Sequence, residues 1–181
     1  MSVQNIFSGP GIFVWGVTSA GADETDAVTI DLTQGGIRFY TETTYFEPTT
    51  DQTGTAPVKT IKTGTIGRVE FQTPDMDFDK LTKFNPDVTK VENAGATKKK
   101  YQVTGLAGRE LPRKRAVIKP QGITDPSRFI YLEESSIKFD VDARFELEGV
   151  QTLPIQVVAY PSLTATPKGL LYTWGDITAT P

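Results

Sequence analysis

The stretch "SIKFDVDARFELE", Ser136 to Glu148, decides the fold class, because apolar and polar residues alternate along it without a break. The apolar positions are Ile137, Phe139, Val141, Ala143, Phe145 and Leu147. The polar positions between them are Ser136, Lys138, Asp140, Asp142, Arg144, Glu146 and Glu148. Successive side chains of a strand point to opposite faces, so this pattern predicts a strand with one buried face and one hydrated face.

Shorter runs of strand-forming residues lie on both sides of this stretch. They predict strands at 12–18, 28–32, 36–42, 58–63, 66–72, 101–106, 115–120 and 128–133, with "LPIQVVAYP" and "GLLYTW" closing the sheet. The turn "TQGG" predicts a hairpin between 28–32 and 36–42, and Gly64 is expected to join 58–63 to 66–72 as a second pair.

Two polar segments interrupt these runs. Residues 43–57 contain two prolines and predict a projecting loop or the tip of a long hairpin. Residues 87–100, "DVTKVENAGATKKK", predict a second exposed loop.

One short helix is predicted at about 73–85. Thr73 is a suitable N-cap, Pro74 takes the favoured first position, and Asn85-Pro86 ends the helix. An apolar stripe at Phe78, Leu81 and Phe84 predicts packing against the sheet. Acidic residues precede basic ones, as the helix dipole favours: Asp75, Asp77, Asp79, Lys80 and Lys83.

The composition of the 181 residues bounds the function. The length suggests a single domain over 1–181, and 16 Gly, 12 Pro and abundant Thr favour strands and turns. Neither Cys nor His occurs, which excludes Ser-His-Asp and Cys-His catalysis and Cys-based zinc sites. We therefore expect no enzyme activity, no catalytic residue, no metal and no cofactor. The opening residues lack a signal-peptide pattern, and no apolar run is long enough to span a membrane, so a soluble protein is expected.

Two motifs superficially resemble ligand sites. The segment "DMDFDK" at 75–80 has alternating aspartates, but a calcium loop of the EF-hand type needs Gly at its sixth position and Glu at its twelfth. Lys80 and Pro86 occupy those positions, and the start of a helix explains the aspartates without an ion. The segments "TGTIG" and "TGLAG" lack the spacing of a phosphate-binding loop and are interpreted as turns.

The charge distribution is uneven although the net charge is only −3. Eight basic residues and one acidic residue, Glu110, lie between positions 98 and 119, which gives this basic segment +7 and the rest of the chain −10. The basic residues are Lys98, Lys99, Lys100, Arg109, Arg113, Lys114, Arg115 and Lys119. The partner of this segment could be a polyanion or the acidic surface of another copy, or the segment could simply be solvated.

The polar face of 136–148 carries Asp140, Asp142, Glu146 and Glu148. Paired carboxylates serve glycosidases, but neighbours on one strand face lie about 7 Å apart and nothing in the sequence marks a cleft. A hydrated outer face, or a face that assembly turns inward, is the interpretation that needs no catalytic site.

Three blocks of the chain resemble bacteriophage tail-tube (major tail) proteins. "DQTGTAPVKTIKTGTIGRVEFQTPDMDFDKL" is similar to the family's projecting loop, strand pair and short helix. "FELEGVQTLPIQVVAYPSLTATPKGLLYTWGD" is similar to its last strands, and "GGIRFYTETTYFEPTTDQ" also fits. Together they cover about two-thirds of the chain, and residues 87–135 contribute little.

The resemblance implies a β-sandwich or barrel with one flanking helix, assembled into rings of six with a continuous inner β-barrel. Stacked rings form the tube through which DNA leaves the virion, so the implied location is the virion tail, assembled in the host cytoplasm. The implied partners are other copies of the chain and other tail proteins (tape measure, terminator, distal tail or baseplate, and sheath), with non-specific passage of DNA and no membrane.

Physical reasoning adds two hypotheses about residues. A net-acidic lumen lets DNA slide, because it does not release counterions from the phosphates. The lumen-lining candidates are Lys138, Asp140, Asp142, Arg144, Glu146 and Glu148. The candidates for contacts between subunits or rings are Glu47, Asp51, Lys98, Lys99, Lys100, Arg113, Lys114 and Arg115.

Three alternatives remain open. A tube initiator or terminator with the same fold would form single rings. A β module that binds polyanions through the basic segment would be a monomer with steeply salt-dependent DNA binding. A hydrolase that uses only carboxylates would have a cleft and measurable turnover.

Overall fold

Ten strands, one short α-helix and one 3-10 turn at Pro126–Arg128 form the regular structure of the described part of the chain, which confirms the prediction of a mostly β protein. The computed structural model describes residues 10–49, 54–75, 77–93, 95, 98–105, 107–139 and 151–179. The first five strands are β1 (Gly11–Val17), β2 (Asp23–Ile30), β3 (Gln34–Phe46), β4 (Ile61–Thr73) and β5 (Val88–Glu92). The others are β6 (Lys99–Val103), β7 (Lys114–Pro120), β8 (Ile130–Phe139), β9 (Leu153–Tyr160) and β10 (Tyr172–Trp174). Helix α1 spans Phe78–Phe84.

Eight of these strands form one antiparallel sheet in the order β2-β1-β7-β8-β9-β4-β3, and β10 pairs with β8. Strands β9 and β10 divide one side of β8 between them, since β10 pairs with 130–132 and β9 with 134–139. Strands β5 and β6 form a separate two-stranded sheet.

The main sheet curves around the larger of two hydrophobic clusters, and a smaller one, formed by Val14, Val17, Val117, Phe129 and Tyr131, packs separately. Phe13 in β1 and Phe71 in β4 are not on neighbouring strands, yet their ring centroids lie 5.2 Å apart. Helix α1 covers the core, because Leu81 and Phe84 are buried and Phe84 meets Trp15 edge to face at 5.5 Å. This confirms the predicted apolar face of the helix at those two positions.

Residues 136–139, the described part of the predicted strand 136–148, belong to a strand that begins at Ile130. Residues 130–139 form one continuous strand, so the two predicted strands at 128–133 and 136–148 are joined. No Gly or Pro separates them, and Glu134 and Ser135 continue the ladder to β9. The predicted hydrated face is wrong at Ser136, which is 1% exposed and hydrogen-bonds the Tyr160 hydroxyl at 3.0 Å.

The predicted hairpin between 28–32 and 36–42 is wrong. Strands β2 and β3 lie at opposite ends of the sheet order, and β2 pairs with β1 instead. The turn between them leads the chain across the core rather than back along β2. Thr73 at the end of β4 anchors this crossing, because its hydroxyl donates to the Leu32 carbonyl at 2.8 Å.

The predicted strand pair around Gly64 is also wrong, because 61–73 is one strand. Gly64 pairs with Thr44, and Phe46 pairs with Ile61, so β3 and β4 form a long hairpin. Of the two interpretations of 43–57, the tip of a long hairpin is therefore confirmed, although 43–46 belong to β3.

Helix α1 starts later than predicted. Asp77 is its N-cap and accepts from the Asp79 backbone N–H at 3.0 Å, whereas Thr73 ends β4. The Thr73 hydroxyl is already engaged by Leu32 and by the Asp75 N–H, at 3.1 Å. The predicted end at Asn85 is confirmed.

The segment 87–100 contains strand rather than only loop. Strand β5 pairs with β6, and Val88 packs into the buried interior. Lys90 bridges this hairpin to the helix, with its Nζ 2.6 Å from Asp79 and 2.5 Å from Glu92. Most residues of these two strands are polar, which explains why the sequence pattern indicated a loop.

Candidate assembly surfaces

The β3–β4 hairpin extends beyond the sheet as a two-stranded ribbon. Strand β9 pairs with β4 only from Gly67 to Thr73, so residues 61–66 pair with β3 alone. We call residues 42–46 and 61–66 the ribbon. Large apolar side chains are exposed along it, and Phe46, which is 56% exposed, lies opposite Ile61. The exposed large side chains are Tyr45, Phe46, Ile61 and Ile66.

Strand β3 is a sheet edge in the described part of the chain, where β4 is the only strand that pairs with it. It is 13 residues long, whereas strands of 5 or 6 residues are typical. A free edge presents unpaired backbone N–H and C=O groups to any other strand. Of its 13 residues only Arg38 and Glu42 are charged, so the edge carries little of the charge that normally blocks pairing.

The opposite edge, β2, is protected by charge. Its acidic side chains form ion pairs with β7 across β1: Lys114 Nζ lies 3.0 Å from Glu24 and 2.6 Å from Asp26, and Lys119 Nζ lies 3.3 Å from Asp23. The hydrogen bond to Lys114 is the largest cause that lowers the pKa of Asp26. Charged side chains along an edge strand disfavour pairing with another chain.

A row of polar side chains crosses the outer face of four strands. Lys138 in β8 pairs with Gln156 in β9, Gln156 with Glu70 in β4, and Glu70 with Arg38 in β3. We call these four residues the polar row. The Glu70 carboxylate accepts from the Tyr40 hydroxyl at 2.7 Å and from the Gln156 amide at 3.2 Å. These two bonds, the first most strongly, hold the pKa of Glu70 below its usual value.

A second interaction on this face joins Arg68 and Glu42. Arg68 Nε donates to Glu42 at 3.0 Å, which raises the pKa of the Arg68 guanidinium. With the polar row and Glu134, which lies on the same side of β8 as Lys138, the described part of these four strands carries three basic and three acidic side chains on this face. Its charge is therefore balanced, and the carboxylates of Glu70 and Glu42 are both held by donors from neighbouring strands.

Of the predicted lumen-lining residues, the structure describes only Lys138. Lys138 is exposed on the outer face of β8 and belongs to the polar row. The other candidates lie outside the described residues: Asp140, Asp142, Arg144, Glu146 and Glu148.

The basic segment is largely neutralised within the chain. Six of its eight basic residues form ion pairs: Lys99, Arg109, Arg113, Lys114, Arg115 and Lys119. Their partners come from several elements, including β2, β5 and β8, so the charge asymmetry along the sequence does not become one basic surface. Lys98 and Lys100, in the β5–β6 hairpin, form no ion pair with the described part of the chain.

The predicted contact residues fall in three places. Glu47 is exposed beside the ribbon and accepts from Thr60 at 3.2 Å, while Asp51 lies outside the described residues. Residues 98–100 lie at the start of β6, and residues 113–115 lead into β7. Arg115 is paired with the buried Glu133, so its guanidinium serves the interior of the chain.

The sequence analysis missed an apolar cavity of about 270 Å³ where β1, β3, β7, β8 and β10 approach one another. We call it the seam cavity. Side chains from distant parts of the chain line it: Ile37, Ile118, Ile123, Ile130 and Trp174. Trp174 is 63% exposed, so the cavity reaches the surface beside its indole. No local pattern could have revealed it, because its walls come from five strands and a turn.

The described residues contain no cluster of carboxylates arranged to hold a metal ion. No helix within those residues is long and apolar enough to cross a membrane. A scan of the chain against protein-family models finds no match, and a search of curated proteins finds none either.

Proposed function

We propose that this protein is a structural subunit of a bacteriophage tail tube, in which copies join into rings of six that stack around a DNA conduit. One observation carries the proposal: β3 is a 13-residue sheet edge with no second strand partner in the described part of the chain. An edge of this length is an aggregation hazard unless assembly uses it. The resemblance of the sequence to tail-tube proteins supports the same use.

The outer face of β8, β9, β4 and β3 is the proposed wall of the conduit. Its polar row and the Arg68–Glu42 pair give a hydrated surface with almost no net charge. The period-two pattern of 136–148 adds four carboxylates and one arginine to the same side of the predicted strand as Lys138. A wall that is neutral to acidic binds phosphates weakly, because it releases few counterions, and DNA can slide past it.

A polyanion-binding module gains no support from the placement of the basic residues, since six of eight are paired within the chain. A tube initiator or terminator with the same fold would present the same surfaces. It differs in the expected product, which is a single ring instead of a long tube.

The test is electron microscopy of the purified protein over a range of concentrations, with light scattering alongside. We expect rings or hollow tubes of uniform width, and loss of both in Thr41→Lys. Thr41 is an exposed residue of β3, so a lysine at this position can extend into water and place a charge on the edge. The matched control is Thr89→Lys, an exposed threonine in β5.

Persistent monomers of the wild-type protein at every concentration would count against the proposal. If the Thr41→Lys and Thr89→Lys variants assembled equally well, β3 would not be an assembly contact. Single rings that never stack would select the initiator or terminator.

A further inference from the structure

The ribbon carries an apolar knob at its far end. Phe46 and Ile61 face each other across the strands, and an exposed pair of this size has no covering partner in the described part of the chain. Aromatic and β-branched cross-strand pairs stabilise a ribbon, but they leave a large apolar surface in water when nothing packs on them.

The seam cavity is large enough to hold such a knob. An apolar cavity of about 150 Å³ accommodates benzene. The seam cavity, at about 270 Å³, therefore has room for a phenyl ring and part of an aliphatic neighbour. Four isoleucines, two prolines and the Trp174 indole form most of its wall, beside Gln121 and Arg128, so the wall is mainly apolar, as are Phe46 and Ile61.

The knob cannot reach the cavity of its own chain. Ile37 lines the cavity and lies on the same strand as Phe46, nine residues away. A strand rises about 3.3 Å per residue, so the two positions are separated by about 30 Å along β3. Any Phe46 that enters a seam cavity must belong to another molecule.

Charges near the two surfaces are complementary. Lys59 and Lys62 flank the knob and form no ion pair within the described residues, and Glu47 is the opposing charge there. Beside the cavity, Asp125 lies between the lining residues Ile123 and Arg128 in sequence, and Asp176 follows Trp174 by two positions. Arg128 leaves this rim with one net negative charge, and the described charges that flank the knob sum to one positive charge.

The two rim carboxylates are held close together and ionised. The Gly175 N–H donates to the Phe129 carbonyl at 2.9 Å, which places 174–176 against the turn at 125–129. Asp125 accepts hydrogen bonds from Ser127, and Asp176 from Thr178, and these bonds lower the pKa of each carboxyl. The knob's lysines therefore meet two negative charges at neutral pH.

We propose that the Phe46–Ile61 knob of one molecule docks in the seam cavity of a second copy, beside Trp174. The inference rests on the proposed self-assembly and names its contact. Because knob and cavity are different surfaces, the contact is head to tail and propagates into a closed ring or an open fibre. A symmetric ribbon-to-ribbon contact would instead stop at a dimer.

The absence of cysteine from the chain allows a directional cross-linking test. One preparation carries Phe46→Cys and a distinguishable, longer-tagged preparation carries Trp174→Cys. Oxidation of the mixture is expected to give the mixed cross-linked dimer at least tenfold over either symmetric one. Val103→Cys, at an exposed apolar position in β6, is the matched control partner for Phe46→Cys.

A second measurement leaves the contact residues Phe46 and Trp174 intact. Trp15 is 1% exposed, so in Trp15→Phe the fluorescence reports Trp174 alone. We expect its accessibility to a neutral quencher to fall several-fold on association, and this fall to disappear with Phe46→Ala but not with Val103→Ala. The Asp125→Asn/Asp176→Asn double variant, which keeps an accepting oxygen at both turns, is expected to weaken association and reduce its salt dependence.

The outcomes separate the two proposals. Rings without a mixed cross-link and without protection of Trp174 would overturn the docking contact and leave the tube function standing. Symmetric Phe46→Cys dimers would assign the knob to a ribbon-to-ribbon contact instead. Protection of Trp174 at every concentration, without association, would mean that another part of the same chain fills the cavity, which also overturns the proposal. Failure to associate at all would overturn both.

Discussion

The ion pair between Arg115 and Glu133 allows a test of how a buried charge affects the stability of the fold. The Glu133 side chain is 5% exposed and that of Arg115 is 20% exposed. Arg115 also donates to the Thr18 carbonyl at 3.3 Å, so the guanidinium has a second acceptor and some access to water. The Glu133 carboxylate is more deeply buried than the guanidinium. The two single substitutions should therefore lower the free energy of unfolding by unequal amounts.

Arg115→Met leaves a buried carboxylate without its partner. Removing one member of a buried ion pair costs about 3–5 kcal/mol, and we expect this variant to lie in that range. Glu133→Gln leaves an amide oxygen that can still accept from Arg115, and the remaining cation is partly solvated. We expect a loss of about 1–3 kcal/mol, the cost of an imperfectly satisfied buried group.

The double variant Arg115→Met/Glu133→Leu replaces the pair with apolar side chains and should recover most of the loss. The assay is urea unfolding followed by circular dichroism, at a concentration where the wild-type protein is monomeric. Glu110→Gln is the exposed control, since Glu110 is 74% exposed in its pair with Arg113, and should cost less than about 1 kcal/mol. Equal, small losses for both single variants, or a double variant no better than Arg115→Met, would refute this account of the pair.

Two further predictions concern hydrogen bonds that hold single elements. The pKa of Glu70 is lowered, first by Tyr40 and then by Gln156, so its stabilising effect is present above the unfolded value of about 4.3 and is lost as pH falls through the folded value. Glu70→Gln should flatten the decline of unfolding free energy between about pH 5 and pH 3, and a decline as steep as that of the wild-type protein would contradict this. Asp77→Ala should cost about 0.5–2 kcal/mol in urea unfolding by removing the cap of α1, whereas Asp77→Asn should retain most of the stability. Equal losses for these two variants would show that the side-chain oxygen does not cap the helix.

The strands that sequence reasoning placed well are those with long apolar or alternating runs. The predicted strands at 12–18 and 115–120 match β1 and β7 to within one residue at each end. In these strands the local pattern and the core agree, since Phe13, Trp15, Ala116 and Val117 are buried. The helix was predicted for a similar reason, because Leu81 and Phe84 pack on the core and Asn85-Pro86 stops the chain locally.

Strand pairing could not be predicted in the same way. The turn residues between β2 and β3 suggested a local hairpin, but Val28 and Ile30 pack into the core from β1's side of the sheet. Contacts such as Phe13 with Phe71 join residues far apart in sequence, and they decide which edge each strand occupies. Gly64 was predicted to mark a turn, but it lies inside β4 and pairs with Thr44. A glycine is compatible with either position, so its identity alone does not decide between them.

The candidate surfaces were harder to predict than the strands, because they depend on which distant parts of the chain lie next to one another. The basic segment was visible as a run of charges, yet the partners of Lys114 lie about 90 positions earlier in the chain, in β2. A sequence pattern shows the charge of a segment but not whether another strand neutralises it. The seam cavity could not be predicted at all, because each residue that lines it looks in the sequence like an ordinary strand or turn residue.

The unequal edges of the sheet restrict how copies can join. Edge β2 is lined by carboxylates that Lys114 and Lys119 hold in place, so pairing there would disturb three ion pairs. Edge β3 has no such protection, and its ribbon places apolar side chains beyond the sheet. Two β3 edges could pair with each other, but that contact is self-complementary and ends at two copies. A docked ribbon instead holds a neighbour in one direction, which leaves the neighbour's own ribbon available for the next copy. The repeated use of β3 therefore requires a second, different surface on each molecule, and the seam cavity is the apolar feature of the described chain that has the size and charge for it.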